Sequence, residues 1–102
     1  MASWKSNVIV AVRFRDEKKH ILQVKWRSYK SGSLVPGGTL TRQEVISYIE
    51  SGCGFVTAYY NSSKRFWQLG EDVHVVSYGG QKFIRTDNNS VGEDNLQSLP
   101  EF

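Results

Sequence analysis

A chain of 102 residues with 39% hydrophobic and 13% aromatic side chains, 13 Lys+Arg against 10 Asp+Glu and a single cysteine has the composition of one small globular domain. At this size roughly 65% of the unfolded surface can be buried, so disorder is not the default and metal or disulfide staples are not needed. No apolar run approaches the ~18 residues of a membrane helix, the start Met1-Ala2-Ser3-Trp4-Lys5 lacks an apolar signal core, and Cys53 has no partner in the chain; a reducing cytoplasm is expected, with no membrane association.

Charge is uneven along the chain. Residues 1–30 hold Lys5, Arg13, Arg15, Lys18, Lys19, Lys25, Arg27 and Lys30 against Asp16 and Glu17, whereas residues 71–102 hold only Lys82 and Arg85 against Glu71, Asp72, Asp87, Glu93, Asp94 and Glu101. A nucleic-acid binder is usually basic along its whole contact face, so the acidic end argues against that class and allows neutralisation within or between protomers.

In chain order, the β-branched run Val8 to Phe14 reads as a strand and Arg15 to His20 as a polar turn. Ile21 to Tyr29 alternates, with Leu22, Val24 and Trp26 on one face and Gln23, Lys25 and Arg27 on the other, which predicts a half-buried hairpin with a basic outer face. Ser31-Gly32-Ser33 and Pro36-Gly37-Gly38 read as chain breaks. Thr41 followed by Glu44 is a capping box, Leu40 and Val45 occupy the staple positions, and Gly52 supplies a left-handed stop, so a helix is predicted from Arg42 to Ser51 with Val45, Ile46 and Ile49 inward.

Beyond it, Phe55 to Tyr60 reads as a strand, Asn61 to Asp72 as a long polar and aromatic connection, and Val73–Tyr78 and Gln81–Thr86 as a hairpin turning on Gly79-Gly80. The expected fold is α+β in the order β-β-α-β-β-β, an antiparallel sheet of about five strands with one helix. The expected organisation is a single domain over residues 1–102, with residues 1–7 free to be flexible and 87–102 an ordered tail held through Leu96, Leu99, Pro100 and Phe102.

Catalytic constellations are missing. His20 in a turn and His74 in a strand have no companion at metal-ligand spacing, and Cys53, between two glycines, is expected to be a small packed residue. Asp87 to Asp94 imitates part of a calcium loop, but Val91 and Ser98 stand where ligands are required, and Asx turns explain the same residues. No enzyme activity, metal or cofactor is therefore expected.

Basic and aromatic residues interleave in Arg13-Phe14-Arg15, Lys25-Trp26-Arg27-Ser28-Tyr29-Lys30 and Lys64-Arg65-Phe66-Trp67, a pairing in which the cation meets a phosphate and the ring stacks on a base. Trp26 is expected to face the core by alternation. Trp67, read as a loop residue, is either a lid on the core or part of a binding surface.

The stretch Val73 to Phe102, with Gly80, Phe83-Ile84-Arg85-Thr86-Asp87, Glu93-Asp94-Asn95-Leu96 and Leu99-Pro100, resembles the small bacterial and phage family known as domain of unknown function 3892. The resemblance implies a compact α+β fold in a bacterial or phage cytoplasm and carries no assigned activity. Within that signature, Arg85, Asp87 and Asn95 read either as a hydrogen-bonded clasp that pins the tail or, with Asn88, as the lining of a small polar site.

The expected function is a non-enzymatic binding module for a phosphate-bearing small ligand such as a nucleotide, in a phage the sequestration of a nucleotide signal of bacterial immunity. The candidate ligand-binding residues are Arg13, Lys25, Arg27, Lys64, Arg65, Trp67, Arg85, Asn88 and Asn95. The alternative is a protein-interaction or homo-oligomerisation module, and nucleic-acid binding comes third. A homo-oligomer is expected, since deep pockets are often built between protomers.

Overall fold

A computed structural model describes residues 3–16, 20–87, 94–96 and 99–102. The elements in order are β1 (Asn7–Asp16), β2 (His20–Lys30), β3 (Ser33–Thr41), α1 (Arg42–Glu50), β4 (Phe55–Asn61), β5 (Phe66–Asp72), β6 (His74–Tyr78) and β7 (Gln81–Arg85). The first five strands to pair make one sheet in the order β3-β2-β1-β4-β5, and β6 and β7 form a separate hairpin. The α+β class and the helix are as expected, while the element list gains β3 and β5, the main sheet is mixed rather than antiparallel because β4 pairs parallel with β1, and the last hairpin lies outside it.

Both added strands are edges, and each departs from regular alternation. In β3, Pro36 pairs with Arg27 and Gly38 with Trp26, which leaves Gly37 as an extra, bulged residue. A Cβ at Gly37 would lie 2.5 Å from the main-chain oxygen of Trp26 and 2.9 Å from its indole, so only glycine lets the strand close over that side chain. The residues that look like a chain break are thus an edge strand, where proline's missing N–H can face solvent. In β5, the pairs Ala58 with Leu69 and Val56 with Asp72 leave Gly70 and Glu71 opposite Thr57 alone. The Thr57 hydroxyl fills that gap by accepting from the Glu71 N–H at 3.0 Å.

The turn before β5 is compact. Asn61 Oδ1 accepts the Lys64 N–H at 3.1 Å, and Arg65 adopts the left-handed conformation with φ 58. Trp67 therefore belongs to a strand, opposite Tyr60, and the long connection over residues 61–72 reduces to a four-residue turn between β4 and β5.

The helix begins as its sequence demands. The Thr41 hydroxyl accepts the Glu44 N–H at 3.1 Å, and the Glu44 carboxylate accepts the Thr41 N–H at 2.9 Å. From β3 at one edge, α1 carries the chain back across one face of the sheet, so β4 arrives beside β1 running parallel to it, with Asn7 to Ile9 opposite Phe55 to Thr57. Gly79 and Gly80, with φ 60 and 80, turn the β6–β7 hairpin.

Because β1 is central, it is buried on both faces. Ile9 and Val12 join Ile21, Val24, Val45, Ile46, Phe55, Ile84, Leu96 and Leu99 in the main core beneath the helix and the hairpin. Val8 and Val10 join Val56 and Ala58 in a smaller cluster on the opposite face, against which Trp4, Tyr29, Leu34, Trp67 and Leu69 pack. The unbroken apolar run Val8 to Val12 reflects this two-sided burial. Cys53 does not pack; it is exposed just past the helix.

The tail takes over the edge of β1 beyond its contact with β4. The Val12 N–H donates to the Pro100 oxygen at 2.9 Å and the Phe102 N–H donates to the Val12 oxygen at 3.1 Å. Upstream, Asn95 bridges to Arg85 of β7, so the tail links the hairpin to the main sheet.

Candidate binding face

The sheet face that carries no helix gathers rings and cations. Along β2, Arg27 and Tyr29 share this face, since Arg27 is paired with Val8 and Tyr29 packs on the small cluster. Lys25, two residues before Arg27, lies in the same alternation and is exposed. Tyr29 stacks on Trp4 with centroids 4.9 Å apart and planes 5° from parallel. From the neighbouring side, Trp67 meets Tyr60 edge-on at 5.4 Å, and the Arg27 guanidinium lies over the Trp67 ring at 5.2 Å.

Beside the Trp4–Tyr29 stack runs an open groove of about 410 Å³, lined by Trp4, Tyr29, Gly32, Ser33, Leu34, Phe66 and Trp67. Trp67 is shared by the groove and the cation contact. Arg27 Nε is buried and has no hydrogen-bond partner among the described residues. A buried guanidinium N–H without an acceptor costs free energy, which sets Arg27 apart from the other cations of this face.

The remaining sequence candidates scatter. Lys64 and Arg65 are exposed in the β4–β5 turn. Arg13 is committed to the tail, donating from Nε to the Phe102 main-chain oxygen at 3.0 Å, with its guanidinium 4.6 Å from the Phe102 ring centre. Arg85 lies on the helix side of the sheet, buried, and grips Asp87 with two bonds of 2.6 and 3.0 Å. Asn95 is exposed and contributes its backbone, the N–H to the Ile84 oxygen and the oxygen to the Thr86 N–H, each at 2.9 Å. This is the clasp geometry, an Arg–carboxylate fork beside a tail pinned to β7. Asn88 and most of the calcium-like segment lie outside the described residues.

Two participants escaped the sequence reading. Trp4 is drawn in because the Tyr29 N–H donates to the Ser6 oxygen at 3.0 Å, which lays residues before β1 over the end of β2. Asp94 is the other. Its side chain is fully buried and accepts from the Ile21 N–H at 2.8 Å, the Ile84 N–H at 2.9 Å and Arg42 Nε at 2.8 Å. Its place in the closing Asp-Asn-Leu run was the available signal.

A larger groove of about 560 Å³ lies at the start of α1, lined in part by Arg15, His20, Arg42 and Phe83. Its main cation is already engaged: Arg42 bonds Asp94 and the Lys82 main-chain oxygen and lies 5.3 Å from the Phe83 ring centre. The capping box also occupies two of the N–H groups at the helix start, those of Thr41 and Glu44.

Fold and site define a small α+β domain with one helix-covered sheet face and one open face of paired rings and an arginine donor that has no partner among the described residues. The chain belongs to the family described as protein of unknown function (DUF3892), whose model matches residues 8–100, nearly the whole length and not only the closing motif. No curated protein and no solved structure matches it.

Proposed function

We propose that the protein is a non-enzymatic binding module whose open sheet face takes a phosphate-bearing small ligand, most concretely a nucleotide. The observation that carries this reading is Arg27 over Trp67, its Nε without an acceptor among the described residues, beside a groove whose aromatic walls are Trp4, Tyr29, Phe66 and Trp67. An arginine donor suits a phosphate oxygen, and ring faces suit a base. Lys25 adds charge along the same strand face. In a phage, such a module would serve to sequester a nucleotide signal of bacterial immunity.

The test is titration with nucleoside monophosphates, nucleoside triphosphates and cyclic dinucleotides, followed by tryptophan fluorescence and thermal shift. Binding should quench Trp67 emission and raise the melting temperature, and Arg27→Gln should weaken binding by about 1–3 kcal/mol with little change in melting. Absence of quenching and of thermal shift with every nucleotide at millimolar concentration would end this reading and favour a protein-interaction module. Retained binding to a single-stranded oligonucleotide, steeply weakened by salt, would favour the nucleic-acid alternative.

A further inference from the structure

The two edges of the main sheet are unequal. The β3 edge carries Pro36 and the bulged Gly37, which interrupt any ladder with an incoming strand. The β5 edge carries no proline, and among the described residues no strand lies beyond it. Its sequence is also symmetric in charge. Lys64 and Arg65 precede the strand, Glu71 and Asp72 end it, and Gln68 stands at the centre.

From this we infer that β5 is the docking edge for a second copy of the chain, paired antiparallel about a two-fold axis at Gln68. In that register Lys64 faces Asp72 of the partner copy, Arg65 faces Glu71, Phe66 faces Gly70, Trp67 faces Leu69, and Gln68 faces itself. Every pair except the self-paired Gln68 occurs twice, as a closed two-fold interface requires. Charge complementarity selects this register: a slip of two residues in either direction breaks the double match at both ends. The Phe66 ring, 45% exposed in the single chain, lies on this edge and loses exposure when a second copy pairs there. The bulge at Gly70-Glu71 ends the regular ladder, so main-chain pairing spans Phe66 to Gly70 and the four charged residues flank it. Asp72 already pairs with Lys5 of its own chain, while the exposed Glu71 side chain has no partner among the described residues. Arg65 with Glu71 is therefore the pair that specifies the interface.

This assembly does not depend on the nucleotide reading, and it lays the open faces of two copies side by side in one continuous sheet.

Sedimentation velocity on the full chain at micromolar concentrations should show a dimer. Arg65→Glu should weaken dimerisation about tenfold or more, by setting like charges opposite one another at two places, and Glu71→Arg should do the same. The double variant Arg65→Glu/Glu71→Arg restores the match and should dimerise as the wild type does, which also separates the effect from misfolding. In a Cys53→Ser background, Gln68→Cys should form a covalent dimer on mild oxidation, since self-paired residues on the axis have Cβ atoms about 4.5–5.5 Å apart. A wild-type monomer would overturn the proposal. So would a dimer that survives both single charge reversals and yields no cross-link at position 68.

Discussion

Arg42, the first residue of the helix, donates from Nε to Asp94 at 2.8 Å, a contact that spans 52 residues and ties the start of α1 to the closing segment. The same carboxylate accepts the N–H groups of Ile21 in β2 and Ile84 in β7, so one side chain joins the helix, the main sheet and the hairpin. A carboxylate with no exposed surface is tolerated here because three donors surround it.

Replacing that residue isolates its contribution. Asp94→Ala leaves two backbone donors and a guanidinium without their acceptor, and should cost about 3–5 kcal/mol of stability. Asp94→Asn keeps one acceptor oxygen and should cost less. Urea midpoints decide the matter; an Asp94→Ala midpoint equal to the wild type would show that the hub contributes nothing.

Removal of residues 99–102 should cost about 3 kcal/mol, the sum of a buried Leu99 side chain and two backbone bonds to Val12. Amide exchange provides an independent check, because the Val12 N–H should be protected in the intact chain and exchange much faster in the truncated one.

Gly70 sits against Thr57. A Cβ added there would collide with the Thr57 hydroxyl and lie 3.0 Å from its main-chain oxygen. Gly70→Ala should therefore destabilise by about 1–3 kcal/mol. In a Thr57→Ala background the side-chain part of the clash is gone, so the two changes together should cost less than their sum. Strict additivity in a denaturation cycle would place the strain elsewhere.

Trp67 is half-buried over Val8, Val10, Val56 and Ala58, so it acts as a lid on the small cluster as well as a wall of the groove. Trp67→Ala should cost about 2 kcal/mol of stability, less than the 3–5 typical of a fully buried ring. If nucleotides bind here, the folded fraction of the variant should also bind them about 1–3 kcal/mol more weakly. Melting and binding measured on the same sample separate the two effects. Unchanged binding by the folded fraction would leave Trp67 a purely structural lid.

Thr41→Ala should cost about 1 kcal/mol, through loss of the hydroxyl that accepts the Glu44 N–H. Equal urea midpoints for the two proteins would count against the cap's contribution.

What could be read from the chain alone was whatever is decided within a few residues. The capping box at Thr41 and Glu44, the Gly79-Gly80 turn and the apolar run of β1 each satisfy their own backbone or mark their own burial locally, and each is in place in the structure. Arg27 and Trp67 both stand in stretches where basic and aromatic residues interleave, but nothing in the sequence indicates that they meet. Their contact needs β2 and β5 to be set on the two sides of β1 and β4, and that order follows from the helix carrying the chain across the sheet. Strands β3 and β5 stayed hidden because an edge strand with a bulged glycine has neither strict alternation nor a continuous apolar run; its conformation is imposed by the neighbour that bonds it. Asp94 is the sharpest case. An acidic residue near a polar tail reads as solvated, and only the convergence of Ile21, Ile84 and Arg42 upon it, from three elements far apart in sequence, makes burial the lower-energy state.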